Sequence, residues 1–109
     1  MSKITTHVLD VVLGKPASGI PVRLELEQDG RWTELPRAET DKDGRCQNLA
    51  IGEAEGLYRL TFETGQYLRR LGRVSIYPEI TITFRCGGEA HYHLPLLLSD
   101  NGYTTYRGS

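Results

Sequence analysis

Short apolar stretches recur along this chain at intervals of about ten residues, and turn-forming residues separate them. This pattern is typical of an all-β protein built as a sandwich or a barrel. It predicts about eight strands, near residues 4–12, 21–28, 31–38, 45–50, 57–63, 79–86, 90–98 and 103–107. Between the second and third of these strands, Asp29-Gly30 predicts a tight hairpin.

The strand predicted at residues 90–98 has a core face and a second face that carries two histidines. Side chains alternate across a strand, so residues two apart share a face. The core face is formed by Tyr92, Leu94, Leu96 and Leu98. The second face is formed by His91, His93, Pro95, Leu97 and Ser99. Both imidazoles are therefore expected to point to solvent, to a metal or to another subunit, and Leu97 argues against plain solvent exposure.

The first predicted strand repeats this arrangement around His7. On its second face lie Thr5, His7, Leu9 and Val11. The opposite face is formed by Ile4, Val8 and Val12. All three histidines of the chain thus lie on second faces of predicted strands. Because a sandwich has only one core to fill, an apolar second face suggests packing against another subunit.

One segment departs from the strand pattern, and its spacing predicts a short helix. Thr64 can cap the start of this helix, and Gly72 is a natural stop. The apolar face is predicted to be formed by Tyr67, Leu68 and Leu71. The outer face is predicted to be formed by Arg69, Arg70 and Arg73. Three arginines are a weak signal for a binding patch, so a solvated surface is expected.

Length and composition are those of an ordinary globular protein. The 109 residues are predicted to form a single domain, residues 1–109, with 39% hydrophobic and 25% charged residues. The net charge of -1 offers no concentrated basic patch, so nucleic acid is not an expected partner. No run reaches the roughly 18 apolar residues that span a bilayer, so no membrane partner is expected.

The first residues and the two cysteines bear on location. Residues 1–7 lack the apolar core of a signal peptide, so the cytoplasm is expected, or the periplasm if a leader has been removed. Cys46 and Cys86 are too far apart for a Cys-x-x-Cys metal pair. A small secreted scaffold usually carries more cysteines, so two free thiols in a reducing compartment are expected.

The residues alone leave three interpretations of the histidines open. A histidine in a strand is most often structural. Two histidines at i and i+2 with a third elsewhere could bind zinc, although no carboxylate or cysteine ligand is obviously paired with them. Because imidazole titrates near neutrality, His7, His91 and His93 could instead carry general acid–base chemistry.

Arg45 is the other candidate for chemistry. It follows the turn at residues 41–44, and its planar guanidinium could bind a carboxylate or an enolate. Without a partner it would be an ordinary surface arginine. The turn resembles the opening of a calcium loop but lacks the further ligands of one. The chain carries no phosphate loop, nucleophile elbow or Cys-His motif.

In these residues the chain resembles the transthyretin-like 5-hydroxyisourate hydrolases of purine breakdown. The resemblance covers nearly the whole chain. The first signature of that family resembles Thr6-His7-Val8-Leu9-Asp10 with Gly14-Lys15-Pro16-Ala17. The turn and arginine of the family match Asp43-Gly44-Arg45. The second signature matches His91-Tyr92-His93-Leu94-Pro95-Leu96-Leu97-Leu98-Ser99 and the terminal Tyr106-Arg107-Gly108-Ser109. This ending and the histidines separate the hydrolases from transthyretin, the hormone carrier.

The resemblance implies a fold, an assembly and a reaction. The fold would be a transthyretin-like two-sheet β-sandwich of about eight strands with one short helix. The assembly would be a homotetramer with active sites in a channel where subunits meet. The reaction would be hydrolysis of a C–N bond of 5-hydroxyisourate, which opens the six-membered ring and gives 2-oxo-4-hydroxy-4-carboxy-5-ureidoimidazoline. Neither a metal nor an organic cofactor is implied.

The resemblance also suggests roles for residues. His7 and His93 would activate water and transfer protons, and Arg45 would hold the anionic substrate and stabilise negative charge on oxygen. His91 would orient His93 or the substrate. The tail would contribute substrate-binding residues, namely Tyr106, Arg107, Gly108 and Ser109, with Arg107 adding positive charge or pairing across subunits.

Two other functions remain as alternatives at this stage. The first is a transthyretin-like protein that binds a small aromatic ligand without turnover. The second is an inert structural sandwich, which leaves the terminal Tyr106-Arg107-Gly108-Ser109 unexplained.

Overall fold

The structure of the chain, a computed structural model, describes the backbone of residues 2–53 and 55–109 and the side chains of residues 3–50 and 55–109. Its strands are β1 (Ser2–Asp10), β2 (Lys15–Pro16), β3 (Pro21–Gln28), β4 (Arg31–Glu34), β5 (Ala38–Glu39), β6 (Arg45–Glu53), β7 (Gly56–Phe62), β8 (Ile80–Cys86), β9 (His91–Leu98) and β10 (Tyr103–Thr105). Helix α1 (Thr64–Arg70) lies between β7 and β8. The predicted all-β class with one short helix is confirmed for the described residues.

The strands form two sheets. The first sheet has the order β10-β9-β1-β2, with β6 also paired to β1. The second has the order β4-β3-β7-β8, with β5 also paired to β3. The central pair of the first sheet, β1 and β9, is parallel, whereas β1 pairs with β6 antiparallel. Strands from the two ends of the chain therefore lie side by side in one sheet.

The two sheets enclose a hydrophobic core formed by their inward faces. The largest side chains that are completely buried include Tyr58, Phe62, Leu24, Ile4 and Leu96. Each such side chain stabilises the fold by about 1.5–3 kcal/mol through burial. In β9 the predicted core face is confirmed, because Tyr92, Leu94, Leu96 and Leu98 are all buried.

Some predicted strand boundaries are wrong. β1 ends at Asp10, so Val11 and Val12 lie in the following turn and are 52% and 58% exposed. The strand predicted at residues 31–38 is two strands, β4 and β5, because Pro36 between them has no N–H for the ladder. The short strand β2 was not predicted. The strand predicted at residues 103–107 ends at Thr105.

The predicted helix is confirmed, but several of its details are wrong. The N-cap residue is Glu63, and Thr64 is the first helical residue, with a buried hydroxyl that has no hydrogen-bond partner in the described structure. Leu71 is 48% exposed and does not share the buried face. Gly72 ends the helix as predicted, at a φ of 70° that favours glycine.

Arg73 does not lie on an exposed basic surface, because it joins a buried network around Asp10. The Asp10 carboxylate accepts hydrogen bonds from Arg73, from the Tyr67 hydroxyl at 2.9 Å and from the backbone of residues 12–13 at 3.1 Å. Arg73 also donates to Asp100 at 2.6 Å. Burial acts to raise the pKa of Asp10, but the hydrogen bonds from Arg73, the turn and Tyr67 hold that pKa below its ordinary value.

Two further expectations concern the cysteines and the membrane. Cys46 and Cys86 are free, as predicted. Both are also buried, and burial raises the pKa of each thiol to about 11. Among the described residues, no helix has the length and apolar character needed to cross a membrane.

Candidate active site

The outward face of the first sheet brings together side chains from the two ends of the chain. In the parallel pairing of β1 with β9, Lys3 lies opposite His91 and Thr5 lies opposite His93. The two imidazole centroids are 6.0 Å apart. The predicted second face of β9 is thereby confirmed, with His91 exposed and His93 half-buried.

A single hydroxyl group links the two imidazoles. The Oγ1 atom of Thr5 lies 2.8 Å from Nε2 of His91 and 2.7 Å from Nδ1 of His93. Thr5 is only 6% exposed, so most of its surface is covered by the surrounding protein. These two hydrogen bonds fix both ring orientations. Among the described residues, Nε2 of His93 and Nδ1 of His91 are left without a hydrogen-bond partner, and Nε2 of His93 is the one on the more buried ring.

Arg45 reaches this face from the first position of β6. The turn before it is fixed by Asp41, whose carboxylate accepts the Arg45 backbone N–H at 2.9 Å. Gly44 has a φ of 76°, and a Cβ there would stand 2.4 Å from the carbonyl oxygen of Val8. Only glycine fits this position, and the Arg45 side chain therefore leaves a rigid turn.

A cavity of about 210 Å³ lies over these groups. It is lined by Lys3, Thr5, Thr6, Arg45, Gln47, His91, His93 and Ser109. Four of the predicted site residues thus share one cavity, namely Arg45, His91, His93 and Ser109. Sequence reasoning missed the roles of Lys3, Thr5, Thr6 and Gln47 in the lining. Thr5 had a usable signal, because it lies two residues from His7 on the same face.

His7 lies on the same face, one step along the sheet. It pairs with Arg45 in β6 and with Pro95 in β9. It is half-buried, but it is not among the residues that line the cavity of the single described chain. The structure therefore places His7 opposite Arg45 and two residues along β1 from Thr5, which links the imidazoles.

The residues of the tail have different positions. The Gly108 N–H donates to the carbonyl oxygen of His93 at 2.7 Å, which brings Ser109 to the cavity. The guanidinium of Arg107 lies 4.8 Å from the ring centroid of Tyr92, and Tyr106 is 54% exposed. Neither Tyr106 nor Arg107 lines the cavity of the described chain.

The surroundings of His93 favour its neutral form. Burial lowers the pKa of His93, and the nearby charges of His91, Arg45 and His7 lower it further. A neutral imidazole with a free Nε2 can accept a proton at neutral pH. No three His, Cys, Asp or Glu side chains among the described residues are grouped so that they could hold a metal ion.

Comparison with known proteins identifies the family. Residues 4–108 match the sequence model of the HIUase/Transthyretin family. The chain belongs to this family. Among its relatives, the 5-hydroxyisourate hydrolase of Salmonella typhimurium is 45% identical over 109 residues, which cover 97% of this chain and 80% of the relative.

Solved structures of the HIUase/Transthyretin family confirm the transthyretin-like sandwich. The Klebsiella pneumoniae 5-hydroxyisourate hydrolase superposes with a TM-score of 0.90 at 39% identity, covering 100% of both chains. Sea bream transthyretin in complex with thyroxine superposes with a TM-score of 0.92 at 31% identity, covering 97% of this chain and 94% of the other. Because both scores are high, the fold alone does not distinguish a 5-hydroxyisourate hydrolase from a transthyretin, and the distinction depends on the residues of the site.

Proposed function

We propose that this chain hydrolyses 5-hydroxyisourate to 2-oxo-4-hydroxy-4-carboxy-5-ureidoimidazoline, a step of urate degradation. The observation that carries the proposal is the cavity in which two imidazoles, a guanidinium and the tail residue Ser109 converge. Relatives with the name 5-hydroxyisourate hydrolase, 45% identical over 97% of this chain, support the same activity.

His93 is the group that we assign to water activation. Its Nδ1 atom is occupied by Thr5, so its Nε2 atom accepts a proton from the water that attacks the substrate carbonyl. The depressed pKa of His93 keeps this nitrogen unprotonated at neutral pH. A positioned base of this kind contributes typically about 10²–10⁴-fold to the rate.

Arg45 and His7 are the other two groups that act on the substrate, and they pair with each other two residues along β1 from Thr5. The guanidinium of Arg45 offers paired N–H donors to the anionic substrate and stabilises the negative charge that develops on the carbonyl oxygen. His7, which pairs with Arg45 across the strands, gives a proton to the nitrogen that leaves when the C–N bond breaks. One proton thus leaves the attacking water and one reaches the leaving nitrogen.

The remaining predicted residues bind substrate or shape the site in this proposal. Ser109 contacts the substrate in the cavity, and His91 orients His93 through Thr5. Gly108 positions Ser109 by its hydrogen bond to the His93 backbone. Tyr106 and Arg107 complete the site where another subunit approaches it.

The proposed assembly is a homotetramer with the active sites in a channel between subunits. Leu9 and Leu97 are only half-buried on the outward face of the first sheet, and residues 11–13 are exposed apolar residues beside it. Covering such a face with another copy removes apolar surface from water.

The proposed location is the cytoplasm. Both thiols are free, which supports a reducing compartment.

The decisive experiment follows the absorbance of freshly generated 5-hydroxyisourate against its spontaneous decay. The wild-type chain should accelerate the decay, and His93→Ala and Arg45→Ala should each lower kcat/KM by at least about 10²-fold. Arg31→Ala, an exposed arginine on β4, serves as the matched control and should behave as wild type. Saturable binding without acceleration would support the carrier function instead.

A further inference from the structure

Because the two imidazoles share the hydroxyl of Thr5, their hydrogen-bond directions are not independent of each other. The hydroxyl has one hydrogen to donate, and it lies within hydrogen-bond distance of one nitrogen of each imidazole. Thr5 is 6% exposed, and the two imidazoles are the side-chain partners of its hydroxyl in the described structure. If the hydroxyl donates to one ring, the other ring must donate to the hydroxyl.

This constraint couples the tautomers of the two rings. When Thr5 donates to Nε2 of His91, Nδ1 of His93 must carry a hydrogen and donate to Oγ1. Nε2 of His93 then has a free lone pair and can act as a base. In the opposite arrangement, Nε2 of His93 carries the hydrogen and cannot accept one. The direction of one hydroxyl bond therefore decides whether His93 is a base.

The charges around the rings favour moving a proton away from His93. Cationic or titratable groups lie around it on three strands, namely Lys3 and His7 on β1, Arg45 on β6 and His91 on β9 itself. His93 is half-buried, whereas His91 is exposed to solvent, which screens charge. A proton left on His93 would be held in the less solvated position among these groups.

We propose that Thr5 is a positioning residue that keeps His93 in its basic tautomer and relays a proton from His93 to His91. The relay rests on the proposed function. Nε2 of His93 takes the proton from the attacking water, and the hydrogen on Nδ1 moves to Oγ1 of Thr5. The original hydroxyl hydrogen moves to Nε2 of His91. One proton enters at His93 and one appears at His91, so the Thr5 hydroxyl is regenerated. When His93 then releases the Nε2 hydrogen to solvent, His91 returns its hydrogen to Thr5 and Thr5 returns its own to Nδ1 of His93, so the basic tautomer is restored for the next turnover.

The first test compares Thr5→Val with Thr5→Ser. Valine has the shape of threonine without the hydroxyl, and serine keeps the hydroxyl. Thr5→Val should lower kcat about 10- to 100-fold with little change in KM, because substrate contacts remain, and Thr5→Ser should restore most of kcat. Thr33→Val, on an exposed position of β4 in the other sheet, is the matched control. Wild-type kcat in Thr5→Val would overturn the relay.

The second test does not depend on activity. Nitrogen-15 NMR of the imidazoles distinguishes the two tautomers of each histidine. In the wild type both rings should carry their hydrogen on Nδ1, since Nε2 of His91 accepts from Thr5 and Nδ1 of His93 donates to it. In Thr5→Val this pattern should be lost while the thermal midpoint shows a folded protein. Unchanged tautomers in Thr5→Val would refute the coupling even if the chain hydrolyses 5-hydroxyisourate.

The two tests separate failure of the relay from failure of the proposed function. If the wild type shows the coupled tautomers but does not accelerate the decay of 5-hydroxyisourate, the coupling stands and the function is wrong. If His93→Ala loses activity while Thr5→Val keeps it, the function stands and the relay is wrong.

Discussion

Gly108 lies directly against the imidazole of His93. Its N–H donates to the His93 carbonyl oxygen at 2.7 Å, and a Cβ added to Gly108 would stand 2.7 Å from Cδ2 of the His93 ring. Real Cβ atoms essentially never approach another heavy atom so closely, so a side chain at this position must move either the tail or the ring. The absence of a side chain at Gly108 is thus part of how the site is shaped.

Gly108→Ala should therefore impair catalysis more than stability. The added methyl group should displace the His93 ring from Thr5 or move Ser109 away from the cavity, and kcat/KM should fall about 10-fold or more. Gly87→Ala is the matched control, because a Cβ there meets nothing within 4 Å. Equal activity of the two variants, with equal thermal midpoints, would contradict this view of the tail.

Removal of residues 106–109 tests the whole tail. The deletion takes away Ser109 from the cavity and the Gly108 donor from the His93 backbone, while the core residues of β9 stay in place. We expect a large loss of hydrolase activity and a thermal midpoint within a few degrees of wild type. Full activity in the truncated chain would show that the tail has no part in the reaction.

Strand periodicity predicted which face of β9 carries the site, but it did not predict which strands lie beside β9. Because alternate residues share a face, the sequence was sufficient to place His91 and His93 opposite the leucines of β9. The pairing of Thr5 with His93 joins residues 88 positions apart, and no local pattern specifies which strands become neighbours or in which register. The Thr5 bridge is a product of the tertiary fold.

Local reasoning was wrong where buried charges decide the conformation. Val11 and Val12 continue an apolar run, yet the chain turns after Asp10 because the Asp10 carboxylate binds the next backbone N–H groups. Arg73 follows two exposed arginines, yet it binds Asp10 and Asp100. The turn after Asp10 depends on a neighbouring carboxylate, whereas the position of Arg73 depends on a partner 63 residues away that sequence spacing does not show.

Asp10→Asn should reveal the stability that this ionic network contributes. The side chain of Asp10 is fully buried and that of Arg73 is 13% exposed, and removing one partner of such a pair costs about 3 kcal/mol in the free energy of unfolding. Asp29→Asn, at the exposed tip of the β3–β4 hairpin, is the matched control and should change this free energy by less than about 0.5 kcal/mol.

The pH dependence of stability tests the role of the Asp10 charge, and the direction of the expected change is defined. The pKa of Asp10 in the folded chain lies below its ordinary value of 3.8, so folding favours the ionised carboxylate. The resulting stabilisation is complete above the unfolded pKa and is lost as pH falls through the folded-state pKa. The difference in unfolding free energy between wild type and Asp10→Asn, measured in urea, should be larger at pH 7 than near pH 3. A difference that is the same at both values would exclude this role of the charge.

The pH dependence of hydrolysis should report the depressed pKa of His93. Because burial and the neighbouring charges lower this pKa, kcat/KM should stay high below the ordinary imidazole value of 6.5 and fall only at more acidic pH. Arg45→Gln removes one of the positive charges, so the pKa of His93 should rise toward its ordinary value, although burial will still hold it down. NMR titration of the His93 ring measures this pKa without requiring activity. Arg31→Gln, exposed on β4, should leave the titration unchanged, and a His93 titration that does not respond to Arg45→Gln would show that the guanidinium does not act on this ring.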